Sequence, residues 1–301
     1  GVWIPKDPSS LTFGNNGFLL DFTDSSDLGN DTSGNNNDFT SSGLTSNDQV
    51  TDTPTKNYPT FASNGGRYYS GSYTDQATVS NGNLDILGGS ASYNSFDVNF
   101  TPLNSGKWYF TWNHDTWYNA NNDMGIVNED CRAGLNGTPS WAYASVNGSV
   151  LVGLELSTKY NIQSNDFTNV LATIPVTPTT SDQTVMAIDI DNLKLWAGFW
   201  DESADDLYWL ANDGTWSSAN VDVPATGTDE TCALIGTGFT FYSFNYADGS
   251  RGGSVDFGAV NGGLLTNITQ PSGFNQINTD NLPEPTILDG TAYFQPTLYA
   301  G

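Results

Sequence analysis

Alternating apolar and polar residues recur along the middle of the chain, in stretches of about six residues that turn signals separate. Alternation places successive side chains on opposite faces of a β-strand, and no stretch is followed by a convincing helical period. Asn81-Gly82 and Gly88-Gly89 mark tight turns between the earlier strands. The pattern predicts an all-β fold of two packed antiparallel sheets, with strands in SYNSFDVNF, GKWYFTW, SVLVGLEL, TVMAIDID, LKLWAGFW, FTFYSFNY and GSVDFG.

The two ends of the chain lack this alternation. Residues 1–65 open with one expected strand at Phe18–Phe22 and continue as an extended segment rich in Asn, Asp, Gly and Ser. Beyond residue 262, prolines at positions 271, 283, 285 and 296 forbid regular strand pairing. We therefore predict three regions: residues 1–65, a β-sandwich over residues 66–262, and an extended C-terminal segment over residues 263–301 that leads to a further module or a partner.

The 301-residue chain carries 33 acidic residues against 8 Lys and Arg, a formal charge of −25. A surface of this sign repels nucleic-acid backbones and anionic lipid heads, so we expect no nucleic-acid partner. No apolar run reaches the roughly 18 residues that a membrane-spanning helix needs, so we expect no membrane insertion. Excess acid serves solubility or the binding of cations, and solubility is the commoner cause.

Residues that usually carry catalysis are scarce. The chain has one histidine, His114, and two cysteines, Cys131 and Cys232, whose separation fits neither a zinc site nor a redox motif. We expect ordinary thiols, and whether they pair stays open. The common nucleotide-binding and hydrolase motifs do not occur. The sequence favours a protein that is not an enzyme and predicts no catalytic residues.

Five aspartates follow the expected first strand: Asp21, Asp24, Asp27, Asp31 and Asp38. Such side chains accept hydrogen bonds from backbone N–H groups two residues further on, which explains the composition without a ligand. The second interpretation is a calcium site, because calcium takes six to eight oxygen ligands, although the spacing of an EF-hand loop is absent. A later acidic group offers the same choice between a solvated loop and calcium. It comprises Asp201, Glu202, Asp205 and Asp206.

Nine tryptophans are many for one sandwich. Flat aromatic rings stack on sugar rings, although sandwich cores also use aromatic side chains for packing. Aromatic residues in turn-rich segments are better placed for exposure than those in strands. The candidates for glycan binding are therefore Trp117, Tyr118, Trp141 and Trp216.

Three motifs occur in order in the central region: GKWYF at residues 106–110, AIDIDNLKLW at residues 187–196 and VDFG at residues 255–258. They resemble the opening strand, the central hairpin and the closing strand of the SPRY domain, a bent β-sandwich of the concanavalin-like type. Thr111 stands where that family frequently has Glu, and Leu193 stands where its hairpin has Gly. The resemblance implies a concanavalin- and SPRY-like jelly roll that serves as an interaction module.

The chain ends carry a second set of motifs: GNNGFLLDFTDSSDLGNDTSGNNNDFT, DQVTDTPTKNYPTF and NTDNLPEPTILDGTAYFQPTLYAG. They are similar to a recurring pattern in large structural proteins of bacteriophages, where the pattern lies beside a SPRY-like sandwich. The resemblance implies a virion protein of the tail-fibre, tail-tip or capsid-fibre type. Such a protein would contribute to particle assembly in the bacterial cytoplasm and, acting outside the cell, to attachment to host-surface glycan.

Extended ends that lack a core of their own gain order by packing on neighbouring copies. We therefore expect a homo-oligomer, a trimer if the protein is a fibre, in contact with other virion proteins and with a bacterial surface glycan. Two alternatives stay open: a scaffolding decoration protein of capsid or tail without receptor binding, and a concanavalin-fold glycoside hydrolase. The hydrolase would use Asp189 and Asp191, which lie two apart on a strand and so on one face.

Overall fold

A computed structural model describes residues 8–44, 46–49, 52, 56–68, 78–87, 93–114, 122–128, 149–155, 159–164, 170–246, 252–258, 265 and 267–283. Nearly all regular structure in these ranges is β-strand. The remainder is one four-residue helix, α1 at Val223–Thr226, and 3-10 turns at Pro8–Ser10, Ser46–Asp48 and Thr279–Asn281. No helix in these ranges approaches the length and hydrophobicity of a membrane span.

The strands follow one another from residue 60 to residue 276. In chain order they are β1 Thr60–Tyr68, β2 Thr78–Ser80, β3 Asp85–Leu87, β4 Tyr93–Asn99, β5 Lys107–His114, β6 Asn122–Val127, β7 Ser149–Glu155, β8 Lys159–Ser164, β9 Val170–Thr173, β10 Gln183–Asp189, β11 Lys194–Asp201, β12 Asp206–Leu210, β13 Cys232–Ala233, β14 Thr240–Tyr246, β15 Gly252–Asp256 and β16 Asn275–Gln276.

These strands form two sheets. The order is β1-β4-β14-β6-β7-β8-β9 in the first sheet and β12-β11-β10-β5-β15-β3-β2 in the second, with β13 beside β11 and β16 beside β5. The neighbouring strands pair antiparallel, except that β16 runs parallel to β5 at Trp108 and Tyr109. The described residues therefore confirm the prediction of an all-β fold built from antiparallel sheets.

Side-chain alternation along β5 explains how the two sheets pack. Phe110 of β5 meets Phe241 of β14 edge-on, with 5.0 Å between ring centroids. The ring of Phe257, just past β15, lies 5.1 Å from that of Phe110 and 6.2 Å from that of Phe241. All three side chains are buried. This aromatic cluster joins the first sheet to the second and forms the core of a β-sandwich.

The other face of the second sheet lies beneath a segment that we call the cover: Leu265 and residues 267–277. Phe274 of the cover is fully buried and meets Trp196 of β11 edge-on, with 5.9 Å between ring centroids. Because both faces of the sheet are covered, β10 is buried along its whole length. The apolar cluster between cover and sheet comprises Tyr109, Val185, Ala187, Trp196, Trp200, Leu207, Trp209, Val223, Leu265, Ile268 and Phe274.

Three carboxylates of the sandwich hold the cover in place. Each accepts a hydrogen bond from an N–H group of the cover: Asp256 from the Leu265 backbone at 2.9 Å, Glu202 from the Asn267 side chain at 3.0 Å and Asp222 from the Ser272 backbone at 2.8 Å. A segment with almost no strand pairing is thereby ordered through side-chain acceptors.

The chain divides into two compact units, residues 58–277 and residues 1–57 together with residues 278–301. In the second of these, the backbone N–H of Asn57 donates to the Thr279 hydroxyl at 2.9 Å, and the Thr279 N–H donates to the Asn57 carbonyl at 3.0 Å. The predicted division at residues 65 and 262 stays a prediction. The cover, which that division assigns to the C-terminal segment, packs on the sandwich.

Two predicted turns can be compared with the structure. The turn at Asn81-Gly82 is confirmed, since β2 and β3 join there through residues with positive φ. The Gly88-Gly89 turn lies outside the described residues. In the β10–β11 hairpin, Leu193 has φ 56°, a left-handed conformation that strains a leucine. This is the position where the SPRY resemblance implies Gly.

The strand expected at Phe18–Phe22 does not form. The backbone groups of Leu19 are taken by the following loop: its N–H donates to the Asp31 carboxylate at 2.8 Å, and its carbonyl accepts from the Thr32 N–H at 2.8 Å. The prediction was wrong because loop side chains and turns satisfy the backbone groups that a sheet partner would otherwise satisfy.

Candidate functional site

A shallow pocket opens at the edge of the second sheet, where β12 meets the cover. We call it the edge pocket, and its volume is about 70 Å³. The floor is apolar and buried, and consists of Leu207 and Trp209 of β12 with Pro271 of the cover. The rim is more exposed and mostly polar, and comprises Asn220, Val221, Asp222, Thr269 and Gln270.

One wall of the pocket is fixed to β12 by side-chain hydrogen bonds. Asn220 has φ 58°, and its side chain accepts from the Leu207 N–H at 2.8 Å and donates to the Asp206 carboxylate at 2.7 Å. The Ser217 hydroxyl accepts from the Trp209 N–H at 3.0 Å. These side-chain oxygens accept hydrogen bonds from backbone N–H groups at the edge of β12, which would otherwise be available to pair with another strand.

Asp222 fixes the opposite side of the pocket. One carboxylate oxygen accepts from the Ala225 N–H at the start of α1, at 3.3 Å, and the other accepts from the Ser272 N–H of the cover. The Gln270 side chain donates to the Phe274 carbonyl. The walls are therefore pre-formed. A pocket of this size suits a small apolar group that projects from a larger ligand, because pockets for whole small molecules are several times larger.

The predicted glycan-binding residues are only partly within the described ranges. Trp117, Tyr118 and Trp141 lie outside them. Trp216 is half-buried and pairs with Leu210, and its indole N–H donates to the Thr173 carbonyl of β9 at 2.8 Å. Its described contacts join the edges of the two sheets, and its role in glycan binding stays a prediction.

Sequence reasoning did not find the edge pocket. Trp209 lies in β12, which is not among the predicted strands, and the residues that complete the pocket come from the loop at 220–222 and from the cover at 269–271. Neither segment carries a periodic pattern that reveals which sheet edge it approaches.

The five aspartates predicted as calcium ligands lie in separate turns. Three accept the N–H of the residue two positions ahead: Asp21 from Thr23, Asp24 from Ser26 and Asp27 from Gly29. Asp38 accepts from the Asp31 N–H at 3.0 Å, so the structure brings these two together. Among the described residues, no group of three or more His, Cys, Asp or Glu is arranged to hold a metal ion. Turns that satisfy their own backbone account for these contacts, and calcium stays a prediction.

Asp31 organises this loop. Its buried carboxylate accepts from the N–H groups of Leu19, Ser33 and Asn37 and from the Ser33 hydroxyl, at 2.8 to 2.9 Å. Burial by itself raises the pKa of this carboxyl, but the donors outweigh burial and hold the pKa well below its ordinary value of 3.8. The ionised carboxylate is therefore a fixed acceptor at neutral pH.

The later acidic group is also tied to its surroundings. Asp201 accepts from the Ser203 N–H at 2.9 Å, and Glu202 accepts from the Trp200 indole N–H at 2.8 Å. Asp205 stands at a positive φ of 60°. These contacts fit the interpretation as an ordinary loop, and calcium at this group stays a prediction.

Asp189 and Asp191 fix the β10–β11 hairpin against β5. Asp189 lies 3.0 Å from the Lys107 ammonium and accepts from the Asn192 N–H at 3.0 Å, and Asp191 accepts from the Gly106 N–H at 3.0 Å. Burial raises the pKa of Asp189, but hydrogen bonds from Asn192 and Lys107 outweigh it, so the net shift is downward. Both carboxylates have structural partners.

No model of a known protein family matches the sequence, and no curated protein is detectably similar to it. Solved structures with a similar fold include the SPRY domain of human HERC1, with 11% identity over 65% of this chain and 96% of that one, at a TM-score of 0.40. Winged bean acidic lectin has 10% sequence identity over 63% of this chain and 96% of the lectin chain, at a TM-score of 0.34. The Bauhinia forficata lectin has 15% sequence identity over 64% of this chain and 97% of the lectin chain, at a TM-score of 0.32.

Proposed function

We propose that the protein is a non-enzymatic structural component of a bacteriophage particle, of the fibre or tail type, that contributes to assembly and attaches to host-surface glycan. The motifs of the chain ends supply the phage assignment by resemblance. The sandwich, with the edge pocket, would supply the contact with the glycan. In a particle, several copies present the pocket at once, so modest affinity at each copy is sufficient for attachment.

The observation that carries the non-enzymatic assignment is the environment of Asp189. A glycosidase needs one carboxyl that can donate a proton near neutral pH and a second carboxylate facing the same sugar ring. The lowered pKa of Asp189 and its contacts with Lys107 and Asn192 favour a permanently ionised structural carboxylate. The Asp191 carboxylate accepts a hydrogen bond from the Gly106 N–H.

The edge pocket supports binding of a neutral ligand group. Its floor offers a buried indole and aliphatic surface, while Thr269 and Gln270 are exposed at the rim. The chain charge of −25 disfavours strongly anionic polymers. A neutral polysaccharide with small apolar substituents, such as acetyl groups, fits these conditions.

Binding of the purified protein to a panel of bacterial envelope polysaccharides tests the proposal, with glycan length followed in the same samples. Val221→Trp places a bulky side chain at the pocket rim and should abolish binding. Ile235→Trp is the matched control, because Ile235 is an exposed aliphatic residue of the same unit that does not line the pocket. Equal binding by both variants would exclude the edge pocket as the contact site.

The remaining interpretations give different results in the same experiment. Shortening of a glycan that Asp191→Asn abolishes would establish the hydrolase. Binding that EDTA removes would point to calcium at the acidic loop. A homo-oligomer by light scattering, without binding to a panel that includes the host glycan, would favour the scaffolding protein.

A further inference from the structure

The loop of residues 8–44 presents its apolar side chains outward. Nine large apolar side chains are exposed in the described part of the chain, and five of them lie in this loop: Leu11, Phe18, Phe22, Phe39 and Leu44. Within residues 8–44, Leu28 is the one apolar side chain that is buried. Clusters of exposed large apolar residues are more common at interaction surfaces than on the rest of a protein's surface.

Phe18 and Phe39 contact each other, and we call this pair the aromatic platform. The rings pack edge to face with centroids 4.7 Å apart, yet Phe18 is 49% exposed and Phe39 is 47% exposed. An edge-to-face pair fixes the orientation of both rings. The platform therefore offers apolar area that loses little side-chain freedom when a partner binds.

The backbone that carries the platform is also fixed. Leu19, which follows Phe18, is hydrogen-bonded to Asp31 and Thr32. The Phe39 N–H donates to the Gly29 carbonyl at 2.8 Å. Glycine is required at position 29, because a Cβ there would lie 1.7 Å from the Phe39 carbonyl oxygen. Hydrogen bonds, rather than an apolar core, hold the two rings in place.

Phe22 adds a third exposed ring to the loop. It is 51% exposed and has φ 55°, a conformation that costs a bulky residue energy. Its carbonyl accepts from the Gln49 side chain at 2.6 Å. The chain thus holds a strained phenylalanine at the surface, where burial gives no compensation in the isolated protein.

The loop is uniformly acidic. Residues 8–44 contain five aspartates and no Lys, Arg or Glu. Hydrogen bonds from the Thr23 backbone and hydroxyl lower the pKa of Asp21, and those from the Ser26 hydroxyl and backbone lower the pKa of Asp24. Asp21 directly precedes Phe22, and Asp38 directly precedes Phe39. The exposed rings therefore have acidic neighbours along the chain.

From this combination we infer that the aromatic platform docks a cationic, apolar segment of another protein. Apolar side chains of the partner would pack on Phe18 and Phe39, and its Lys or Arg residues would face the carboxylates, with further attraction to the ring faces. A second copy of this chain is a poor occupant of this one surface, because two copies bring two charges of −25 together and the chain has only 8 cationic side chains; the expected homo-oligomer would then form through other contacts.

The test uses three short synthetic peptides as probes: alternating Lys and Leu, alternating Lys and Ser, and alternating Glu and Leu. We expect the 301-residue chain to bind the Lys-Leu peptide most tightly, with affinity that falls as salt is raised. Phe18→Ser and Phe39→Ser should each weaken binding about tenfold. Leu87→Ser and Ile235→Ser are matched controls at exposed apolar positions of the other unit and should leave the affinity unchanged.

A triple Asp→Asn variant tests the charge. Replacing Asp21, Asp24 and Asp27 keeps a side-chain oxygen to accept the turn hydrogen bonds and removes three charges. This variant should bind more weakly and with a shallower salt dependence than a control carrying the same change at Asp205, Asp213 and Asp229. Circular dichroism and melting curves of each variant verify that the fold is kept.

Three outcomes would overturn the inference. Equal affinity for the Lys-Ser peptide would mean that charge alone binds, and equal affinity for the Glu-Leu peptide would mean that charge plays no part. Concentration-dependent self-association in the absence of peptide, lost in Phe18→Ser and Phe39→Ser but kept in Leu87→Ser, would make a second copy the occupant. None of these outcomes depends on glycan binding at the edge pocket.

Discussion

Replacing Phe274 by alanine tests whether the cover is an integral part of the sandwich. The Phe274 ring is fully buried, stands edge-on to Trp196, and lies 5.6 Å from the Lys107 ammonium. These contacts lie at the point where β16 pairs with β5. The substitution removes the ring while leaving the backbone of the cover unchanged.

The expected loss of stability follows from burial. Transfer of a phenylalanine side chain out of water is worth about 1.5–3 kcal/mol, and the cavity left by truncation raises the cost of Phe→Ala in a core to about 3–5 kcal/mol. The aromatic contact with Trp196 and the cation above the ring are included in that range. Because Ser272 is anchored by Asp222 just before Phe274 and β16 pairs with β5 just after it, collapse into the cavity is restricted. We expect a loss of about 3–4 kcal/mol.

Urea unfolding followed by tryptophan fluorescence measures this loss, since Trp196, Trp200 and Trp209 lie beneath the cover. For a unit of this size the melting temperature should fall by roughly 2–4 °C for each kcal/mol. Ile235→Ala, at an exposed position, should change stability by less than about 0.5 kcal/mol. Two results together would refute an integral cover: a loss of unfolding free energy below about 1 kcal/mol for Phe274→Ala, and tryptophan fluorescence that is quenched to the same extent in the variant as in the unchanged protein.

Three further predictions concern single residues. Leu193→Gly should raise the melting temperature by a few degrees, because it relieves strain of about 1 kcal/mol at a positive φ; a lower melting temperature would contradict this account. Burial lowers the pKa of His114 to about 3, so its imidazole should show no NMR titration between pH 5 and 8. The histidine of an unfolded chain titrates near 6.5, so the stability that neutral His114 contributes should be complete above that pH and should be lost as the pH falls toward 3. A titration midpoint near 6.5 in the folded protein would contradict burial of His114. Burial raises the pKa of the Cys232 thiol to about 12. In a Cys131→Ser variant this thiol should therefore react with a disulfide reagent at pH 8 only after unfolding. Rapid reaction in the folded protein would contradict the buried position of Cys232.

The sandwich could be predicted from the sequence because its strands carry local signals. In β10 and β11 the short apolar runs and the turn between Asp189 and Lys194 indicate the same hairpin, and the register pairs those two residues. The left-handed Leu193 shows that an unfavourable residue in one turn does not prevent a hairpin whose strands pair along their whole length.

The edge pocket and the cover could not be predicted in this way. The cover contains Phe274 and Ile277, which are fully buried and three positions apart; this spacing would suit a helix, but the segment is irregular, so local periodicity does not reveal how it packs. Its position depends on acceptors from distant segments, such as Asp222 and Asp256. The expected strand at Phe18–Phe22 failed for the same reason, since Asp31 supplies an acceptor that local alternation does not reveal.

Carboxylates take the place of sheet partners in the irregular parts of this chain. Asp31 accepts backbone N–H groups from three separate residues, and Asp256 accepts from both Gly258 and Leu265. An acceptor of this kind works best when ionised, so the order that it provides comes with a negative charge that stays near the surface. In the N-terminal loop the residues that fix the backbone also place negative charge in the loop that carries Phe18 and Phe39. This negative charge is the reason that a cationic partner fits the aromatic platform better than a neutral one.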